Sequence, residues 1–354
     1  MAEKMLMKGN EAMAEAAMRA GCKLFFGYPI TPQTEVAAYM AKKMPKIGGL
    51  FMQAESEVAA INMVYGAAGA GARVMTSSSS PGISLKSEGI SYIAGSDLPC
   101  VIVNIVRGGP GLGGIQPAQS DYFQATKGGG HGDYHLVVLA PASVQEMVSL
   151  TAEAFDIADT YRMPVMIMGD GMLGQMMEPV EFENLPKREV PEKTWATNGT
   201  QMKRKKNIVN SLYIEPDALE KMNNERLERY ELVKKNEVKV ETVNAENADV
   251  VIVAYGVMAR VAKTVMQMME EKGIKVGVVR PITLWPFPTE EIAKVAETAK
   301  AFISVEMSQG QMVEDVRLAV NGKKPVYFYG RNGGVVPSPD EICAEIEKIV
   351  GGMK

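Results

Sequence analysis

The sequence that decides the fold is Cys22-Lys23-Leu24-Phe25-Phe26-Gly27-Tyr28-Pro29-Ile30-Thr31-Pro32, and a helix-like segment follows it from Gln33 to Lys43. The apolar run predicts a strand. The prolines predict a rigid turn, because each has a fixed φ and no N–H group. Ligands of open α/β sheets bind at the edge where the strands end, so the Thr31 hydroxyl is a candidate ligand-binding group. The alternative at this point is that Thr31 only caps the following helix.

The order of strand and helix repeats along the first half of the chain. Further strands are predicted at 49–52, 73–76, 100–106, 136–139 and 165–168, and helices at 9–21, 57–71 and 83–94. Strands that alternate with helices indicate a parallel sheet, and the unbroken apolar run Cys100–Val106 is typical of a strand covered on both faces. The predicted fold class is α/β, a doubly wound parallel sheet.

The chain divides into three parts by composition. We predict a first domain at residues 1–178 and a linker at 179–247, where the sequence is charged and proline-bearing and contains one helix at 216–235. A second α/β domain is predicted at 248–354, with strands at 250–254, 275–279, 302–306 and 326–329 and helices at 259–272 and 338–350. Between the strands at 275–279 and 302–306, residues 280–291 are predicted to form a proline-stiffened connection that leads to another helix.

Composition excludes several classes of function. The chain has 354 residues, 46% of them hydrophobic, and a formal net charge of -4, which leaves no basic surface for nucleic acid. No run approaches the roughly 18 apolar residues of a membrane helix, and no signal peptide is apparent, so we expect a cytoplasmic protein. Cys22, Cys100 and Cys343 lie far apart, so we expect reduced thiols rather than a disulfide framework, a metal site or an iron–sulfur site.

Two carboxylates follow the second predicted strand, at the start of a helix rich in small residues. Glu55 and Glu57 differ by two positions and cannot share a helix face, so if one is buried against a ligand the other lies in solvent. The alternative is that both only cap the helix electrostatically. Farther on, the stretch Thr76–Gly82 could hold a polar ligand, although N-capping by Ser79 or Ser80 would also explain it.

Arg107 comes directly after the most apolar strand and begins a glycine-rich loop. A guanidinium at a strand end can pair bidentately with a carboxylate, so Arg107 is a candidate clamp for an anionic substrate. The alternative is a surface arginine in a loop salt bridge.

Three other patterns are rejected as sites. Residues 109–114 match GxGxxG but lack a following helix. His131, Asp133 and His135 lie in a glycine-rich loop without a further spaced ligand. Gly169-Asp170-Gly171 superficially resembles the start of a magnesium diphosphate motif, but prolines interrupt the helix and strand that such a motif needs. We therefore predict no metal site.

Four motifs in this order resemble one family: Tyr28-Pro29-Ile30-Thr31-Pro32, Glu55-Ser56-Glu57-Val58-Ala59-Ala60, Arg107-Gly108-Gly109-Pro110 and Arg280-Pro281-Ile282-Thr283. The family is the alpha subunit of the 2-oxoacid:ferredoxin oxidoreductases, of the branched-chain 2-oxoisovalerate or 2-oxoglutarate type. The resemblance spans nearly the whole chain. It implies a pyrimidine-binding thiamine diphosphate domain followed by a transketolase C-terminal-like domain.

The resemblance also implies roles for the site residues. Thr31 would hydrogen bond to the 2-oxoacid, Arg107 would pair with its carboxylate, and Tyr28 would lie beside the substrate. Glu57 would bind the pyrimidine nitrogen of the cofactor, with Pro29, Ile30 and Thr31 also lining the cofactor site. A carboxylate at that nitrogen favours the ring tautomer that activates thiamine diphosphate, so Glu57, Thr31 and Arg107 are the candidate catalytic residues.

By the same resemblance, thiamine diphosphate is shared with a beta subunit that carries the diphosphate and Mg²⁺ domain. The 4Fe-4S clusters are expected on partner subunits, namely a gamma and an iron–sulfur subunit. Ferredoxin takes the electrons and coenzyme A is a substrate. The chain would be active only with these partners.

The loop after Arg107 indicates the substrate. It has no lysine or arginine before Lys127, whereas relatives that use 2-oxoglutarate commonly carry a lysine there. Burial of a branched side chain against Leu112 and Ile115 is favourable, and an unpaired distal carboxylate there is costly. We predict 3-methyl-2-oxobutanoate. The alternatives are 2-oxoglutarate, with a partner supplying the cation, or a non-catalytic regulatory or scaffold subunit of the same fold.

Overall fold

The computed structural model describes residues 4–353, in which strands and helices alternate along most of the chain. The strands are β1 (Met5–Lys8), β2 (Leu24–Gly27), β3 (Leu50–Gln53), β4 (Val74–Ser78), β5 (Cys100–Val106), β6 (Val137–Leu139), β7 (Pro164–Asp170), β8 (Met177–Val180), β9 (Val240–Val243), β10 (Val250–Val253), β11 (Val276–Pro281), β12 (Thr283–Trp285), β13 (Phe302–Glu306) and β14 (Val326–Gly330).

The α-helices are α1 (Gly9–Arg19), α2 (Thr34–Lys43), α3 (Glu57–Gly69), α4 (Pro81–Gly95), α5 (Tyr122–Thr126), α6 (Val144–Tyr161), α7 (Gly171–Gln175), α8 (Pro216–Asn236), α9 (Gly256–Glu271), α10 (Thr289–Val295), α11 (Met312–Val320) and α12 (Pro339–Gly352). A 3₁₀ turn at Met44–Ile47 follows α2.

The first sheet has seven strands in the order β12-β6-β7-β5-β4-β2-β3. Neighbouring strands within this sheet are parallel, except that β12 pairs antiparallel with β6. β5 and β7 are buried along their whole length, as unbroken apolar runs predict for the central strands of a parallel sheet. The helices α1 and α6 pack against each other, as do α3 and α4. The predicted α/β class is confirmed.

The second sheet has five strands in the order β14-β13-β10-β11-β9. It is parallel except for β9, which pairs antiparallel with β11. Each sheet therefore takes a strand from outside its predicted range. β9 lies in the sequence assigned to the linker, and β12 lies in the sequence assigned to the second domain. The domain boundaries themselves stay a prediction.

Several elements were not predicted from the sequence, and two of them show why. β1 and β8 form a two-stranded antiparallel sheet, and α6 fills the interval between β6 and β7. Both strands of the small sheet are short and largely exposed, so their sequences carry little apolar alternation. For α6 a local signal exists, because the Ser143 hydroxyl accepts a hydrogen bond from the Glu146 amide at 3.1 Å and caps the helix.

The cysteines agree with the sequence prediction. Cys22, Cys100 and Cys343 are buried and free, and burial raises the pKa of the Cys22 and Cys100 thiols to about 12. Separately, between residues 4 and 353 no helix has both the length and the apolar character needed to span a membrane.

Candidate active site

The candidate residues meet at one edge of the first sheet. The neighbouring parallel strands β2, β4 and β5 end at this edge, so the segments that follow them lie side by side. The Ser77 hydroxyl donates to Gln33 Oε1 at 2.6 Å and ties the end of β4 to the proline turn. The Arg107 amide donates to the Ser80 hydroxyl at 3.1 Å and ties β5 to the same segment. Ser80 therefore joins strands instead of capping α4, which has no side-chain cap.

Backbone carbonyls hold the proline turn in place. The Pro32 carbonyl accepts a hydrogen bond from Asn10 Nδ2 at 2.9 Å, and the Thr31 carbonyl accepts one from Arg107. The Thr31 side chain is exposed and does not cap α2, whose N-cap residue is Gln33. Tyr28 and Ile30 are half-buried and Pro29 is exposed, so the turn presents several side chains at the sheet edge.

Arg107 is buried, with 6% of its surface exposed. Its Nη1 donates to the Thr31 carbonyl at 2.9 Å and its Nη2 to the Leu112 carbonyl at 3.0 Å, while the buried Nε has no partner. In residues 4–353 no carboxylate forms an ion pair with it. A guanidinium has five N–H donors, so several remain for a ligand, and a buried cation needs a counter-charge. Arg107 is therefore suited to bind an anion.

Glu57 is buried, with 5% of its surface exposed, whereas Glu55 lies in solvent. The two side chains therefore do not share a face, and Glu55 precedes the N-cap of α3 instead of lying on the helix. The Ser56 hydroxyl caps α3 by accepting a bond from the Ala59 amide at 3.1 Å, so Glu57 is not needed as a cap. Among the described residues, none hydrogen bonds to the Glu57 carboxylate.

The Glu57 carboxylate faces the first turn of α4. A Cβ atom at Gly82 would lie 2.7 Å from Glu57 Oε1 and 2.0 Å from Ser78 Oγ, so only glycine fits between them. The Ser78 and Ser79 hydroxyls are buried without partners. A buried carboxylate beside unpaired hydroxyls fits a polar ring that can donate and accept hydrogen bonds, as a pyrimidine does.

Lys86 is part of the same surroundings and was not predicted from the sequence. It is fully buried on α4, and its Nζ donates to Thr76 Oγ1 at 2.8 Å and to the Ser77 carbonyl at 3.0 Å. Burial lowers its pKa to about 7, and the attraction of Glu57 opposes that shift. One signal was available, because Lys86 lies four residues after Gly82 on the same face of the helix.

Gln119, also not predicted, connects the loop after Arg107 to the second sheet. Its amide donates to the Met307 carbonyl at 2.8 Å, and its Oε1 accepts from the Met307 amide at 3.0 Å. Its Nε2 donates to the Tyr255 carbonyl at 2.9 Å, and its own carbonyl accepts from Tyr255 Oη at 3.2 Å. The loop itself is closed by a β-bridge between Arg107 and Pro117. No local pattern marks this residue.

A cleft of ≈ 440 Å³ lies beside Thr31 between the two sheets. It is lined by Thr31, Pro32, Ile115, Gln116, Pro117, Gly171, Met172, Gln175, Gly334 and Val336, which include no lysine or arginine. Ile115, which is 57% exposed, contributes to it. Leu112 does not, and this corrects the sequence prediction. Leu112 is 84% exposed because it lies at the tip of the loop, between Gly111 and Gly113, which both have a positive φ.

The rejected patterns have structural roles. His135 stacks on Trp285 with ring centroids 4.5 Å apart. Asp170 Oδ1 accepts hydrogen bonds from the Met172 and Leu173 amides at 2.9 and 3.0 Å and so caps α7. Burial raises the Asp170 pKa to about 6. In the described part of the chain, no group of three or more His, Cys, Asp or Glu side chains could hold a metal ion.

Comparison with known proteins agrees with this geometry. Residues 15–271 match the family described as "Pyruvate flavodoxin/ferredoxin oxidoreductase, thiamine diP-bdg", and residues 248–342 match "Pyruvate:ferredoxin oxidoreductase core domain II". The ketoisovalerate oxidoreductase subunit VorB of Methanothermobacter marburgensis is 51% identical over 98% of both chains. The 2-oxoglutarate synthase subunit KorA of Methanothermobacter thermautotrophicus is 36% identical, with 99% of this chain and 100% of KorA covered.

Solved structures show the same likeness. A 2-oxoglutarate:ferredoxin oxidoreductase from Magnetococcus marinus superposes with a TM-score of 0.88 at 31% identity, covering 99% of this chain and 66% of that one. A split-gene transketolase shares the fold alone, with a TM-score of 0.62 at 17% identity. Several relatives are named as subunits, so members of the family function in multisubunit complexes. The chain belongs to the 2-oxoacid:ferredoxin oxidoreductase family and carries the thiamine diphosphate-binding domain of such an enzyme.

Proposed function

We propose that this chain is the alpha subunit of an enzyme that oxidatively decarboxylates a branched-chain 2-oxoacid, 3-methyl-2-oxobutanoate. The 2-oxoacid and coenzyme A are converted to acyl-CoA and CO₂, and the electron pair passes through iron–sulfur clusters to ferredoxin. The observation that carries the proposal is Arg107, a buried cation that pairs with no carboxylate within residues 4–353 and bonds to the backbone of the exposed Thr31. The relatives named ketoisovalerate oxidoreductase subunits support the branched-chain substrate.

Arg107 and Thr31 bind and orient the substrate in this proposal. The guanidinium binds the substrate carboxylate through the donors that the Thr31 and Leu112 carbonyls leave free. Because Nη1 bonds to the Thr31 carbonyl, the guanidinium is anchored to the residue that carries the hydroxyl. That fixed arrangement orients the 2-oxo group for attack.

Glu57 and its surroundings would hold the pyrimidine end of the cofactor. When bound, thiamine diphosphate supplies the carbon nucleophile that attacks the 2-oxo group and stabilises the negative charge left by decarboxylation. The Glu57 carboxylate would accept a hydrogen bond from the ring N–H, with the Ser78 hydroxyl close by. Pro29 and Ile30 would line the ring. Tyr28 would border the substrate.

The remaining parts of the enzyme belong to partner subunits in this proposal. A beta subunit would hold the diphosphate and Mg²⁺, and gamma and iron–sulfur subunits would complete the complex. Ferredoxin would accept the electrons. The free cysteines of this chain are buried and far apart, so clusters held elsewhere agree with the composition.

The cleft beside Thr31 supports a branched apolar substrate. Its lining is mostly apolar and has no cationic side chain. Burying an isopropyl group there would gain roughly 1.5–3 kcal/mol, whereas burying a second, unpaired carboxylate would cost several kcal/mol. 2-Oxoglutarate is the second candidate, because the KorA relatives carry that name.

The test is the specificity constant of the purified complex for 3-methyl-2-oxobutanoate, pyruvate and 2-oxoglutarate. We expect kcat/KM for 3-methyl-2-oxobutanoate to exceed that for 2-oxoglutarate by about 100-fold. This ratio is in the upper part of the range of specificity that a single apolar pocket provides. Ile115→Lys should raise kcat/KM for 2-oxoglutarate by adding a cation to the cleft. Leu112→Lys is the matched control, since Leu112 lies in the same loop outside the cleft. A wild-type preference for 2-oxoglutarate would contradict the branched-chain assignment.

A further inference from the structure

Lys86 is fully buried and lies in the same region as Glu57, the carboxylate that we assign to the cofactor. The Lys86 ammonium donates to the Thr76 hydroxyl and the Ser77 carbonyl, both neutral acceptors on β4. Within residues 4–353 it forms no ion pair. A charge buried among neutral groups is costly, and the two hydrogen bonds leave one of its three N–H donors without a protein partner.

The charged group that acts on Lys86 is Glu57. Gly82 and Lys86 are one helical turn apart on α4, and the Glu57 carboxylate lies against the Gly82 position. The hydrogen-bond partners of Lys86 are both uncharged. β4 contributes a hydroxyl and a carbonyl, and on α4 itself Glu88 bonds to Tyr92 at the exposed side of the helix. Lys86 and Glu57 are thus an ammonium and a carboxylate that share one buried region without touching.

We propose that Lys86 is a positioning residue whose ammonium attracts the Glu57 carboxylate and keeps it directed at the cofactor ring. This inference rests on the proposed function, because it takes Glu57 to be the acceptor for that ring. An ammonium in the same buried region attracts a carboxylate, and the low polarity of that region strengthens the attraction. An ionised acceptor binds a ring N–H more strongly than a neutral one does.

The protonation state of Lys86 then controls the affinity for thiamine diphosphate. Burial lowers the Lys86 pKa to about 7, so the ammonium loses its proton near neutral pH. Below that pH the positive charge supports Glu57. Above it the support is lost and the affinity falls.

The experiment is calorimetric titration of thiamine diphosphate, with Mg²⁺ present, into the assembled complex stripped of cofactor. Wild type, Lys86→Met, Glu57→Gln and the double variant are compared at about pH 6 and about pH 8.5, on either side of the Lys86 pKa of about 7. We expect Lys86→Met to weaken binding about 10-fold at the lower pH, the effect of one pKa unit, and to match wild type at the higher pH. In the Glu57→Gln background it should have no further effect.

The same titrations give the results that would overturn the inference. An equal loss at both pH values, a loss that persists in the Glu57→Gln background, or no loss at all would each contradict it. Thr76→Val is the control, since it removes one acceptor of Lys86 but keeps the charge, and it should leave the pH dependence in place. Lys86→Gln replaces Lys86→Met if the latter does not assemble. If Glu57→Gln alone binds the cofactor like wild type, the role proposed for Glu57 fails first, and this inference fails with it.

Discussion

Replacing Gln119 by leucine removes two of the four hydrogen bonds that join Gln119, in the substrate loop, to Tyr255 and Met307. The substitution keeps the size of the side chain but deletes the bonds from Nε2 to the Tyr255 carbonyl and from the Met307 amide to Oε1. The Gln119 amide still donates to the Met307 carbonyl, and the Gln119 carbonyl still accepts from Tyr255 Oη. Because Arg107 and Pro117 close the loop by a β-bridge, freedom at Gln119 is transmitted directly to the Arg107 end.

The size of the effect follows from the groups left unpaired. Tyr255 and Met307 are both buried, so Gln119→Leu leaves one buried carbonyl and one buried amide without a partner. At about 1–3 kcal/mol for each unsatisfied group, we expect the free energy of unfolding to fall by about 2–6 kcal/mol. A shift of the loop by about 1 Å would lower kcat/KM for the 2-oxoacid by up to about 100-fold.

A glutamine elsewhere in the chain supplies the control. Gln145 donates from Nε2 to the Glu181 carbonyl at 3.1 Å, and its Oε1 accepts from the Glu181 amide at 2.9 Å. Gln145→Leu therefore deletes the same pair of bonds away from the candidate site. Thermal unfolding and steady-state kinetics of the two complexes are compared. We expect both variants to lose stability and only Gln119→Leu to lose kcat/KM. Equal kcat/KM values for the two would refute the proposed coupling between the second sheet and the substrate loop.

Two further predictions concern the buried cations. Arg107→Met should lower kcat/KM for the 2-oxoacid about 10- to 150-fold, from the roughly 1.5–3 kcal/mol of a charge-assisted hydrogen bond, and an unchanged value in steady-state kinetics would exclude Arg107 from substrate binding. Lys86→Met should raise the free energy of unfolding below pH 7. The Lys86 pKa falls from its ordinary 10.5 to about 7 in the folded protein, so at that pH the buried ammonium costs up to about 5 kcal/mol. Wild-type stability should therefore rise with pH between these two pKa values while the variant's does not, and parallel thermal-unfolding curves would contradict this.

The sequence predicted the parts of the fold that local patterns determine. The apolar run of β5 and the strand–turn–helix around Thr31 were sufficient to predict a parallel α/β sheet, because strand burial and proline geometry act within a few residues. β12 could not be predicted in the same way. It has three residues, and it pairs with β6 from more than a hundred positions away, so its role depends on tertiary contacts.

The candidate site likewise contains residues that local sequence patterns predict and a residue that they do not. Thr31, Glu57 and Arg107 follow predicted strands, and parallel strands end at one edge, so their approach to each other was predictable. Their chemical roles stay a proposal. Gln119 was missed because its partners Tyr255 and Met307 lie 136 and 188 residues away from it in the sequence. A glutamine side chain carries no local signal of such long-range bonds.

The most direct test of the account is the comparison of Glu57→Gln with Glu55→Gln in the assembled complex. The two carboxylates are two positions apart, and only Glu57 is buried beside Ser78 and Gly82. We predict that Glu57→Gln folds normally and lowers turnover by at least about 100-fold, the loss typical of a missing acid–base function, while Glu55→Gln changes it little. Equal effects, or a larger loss in Glu55→Gln, would contradict the assignment of Glu57 to the cofactor.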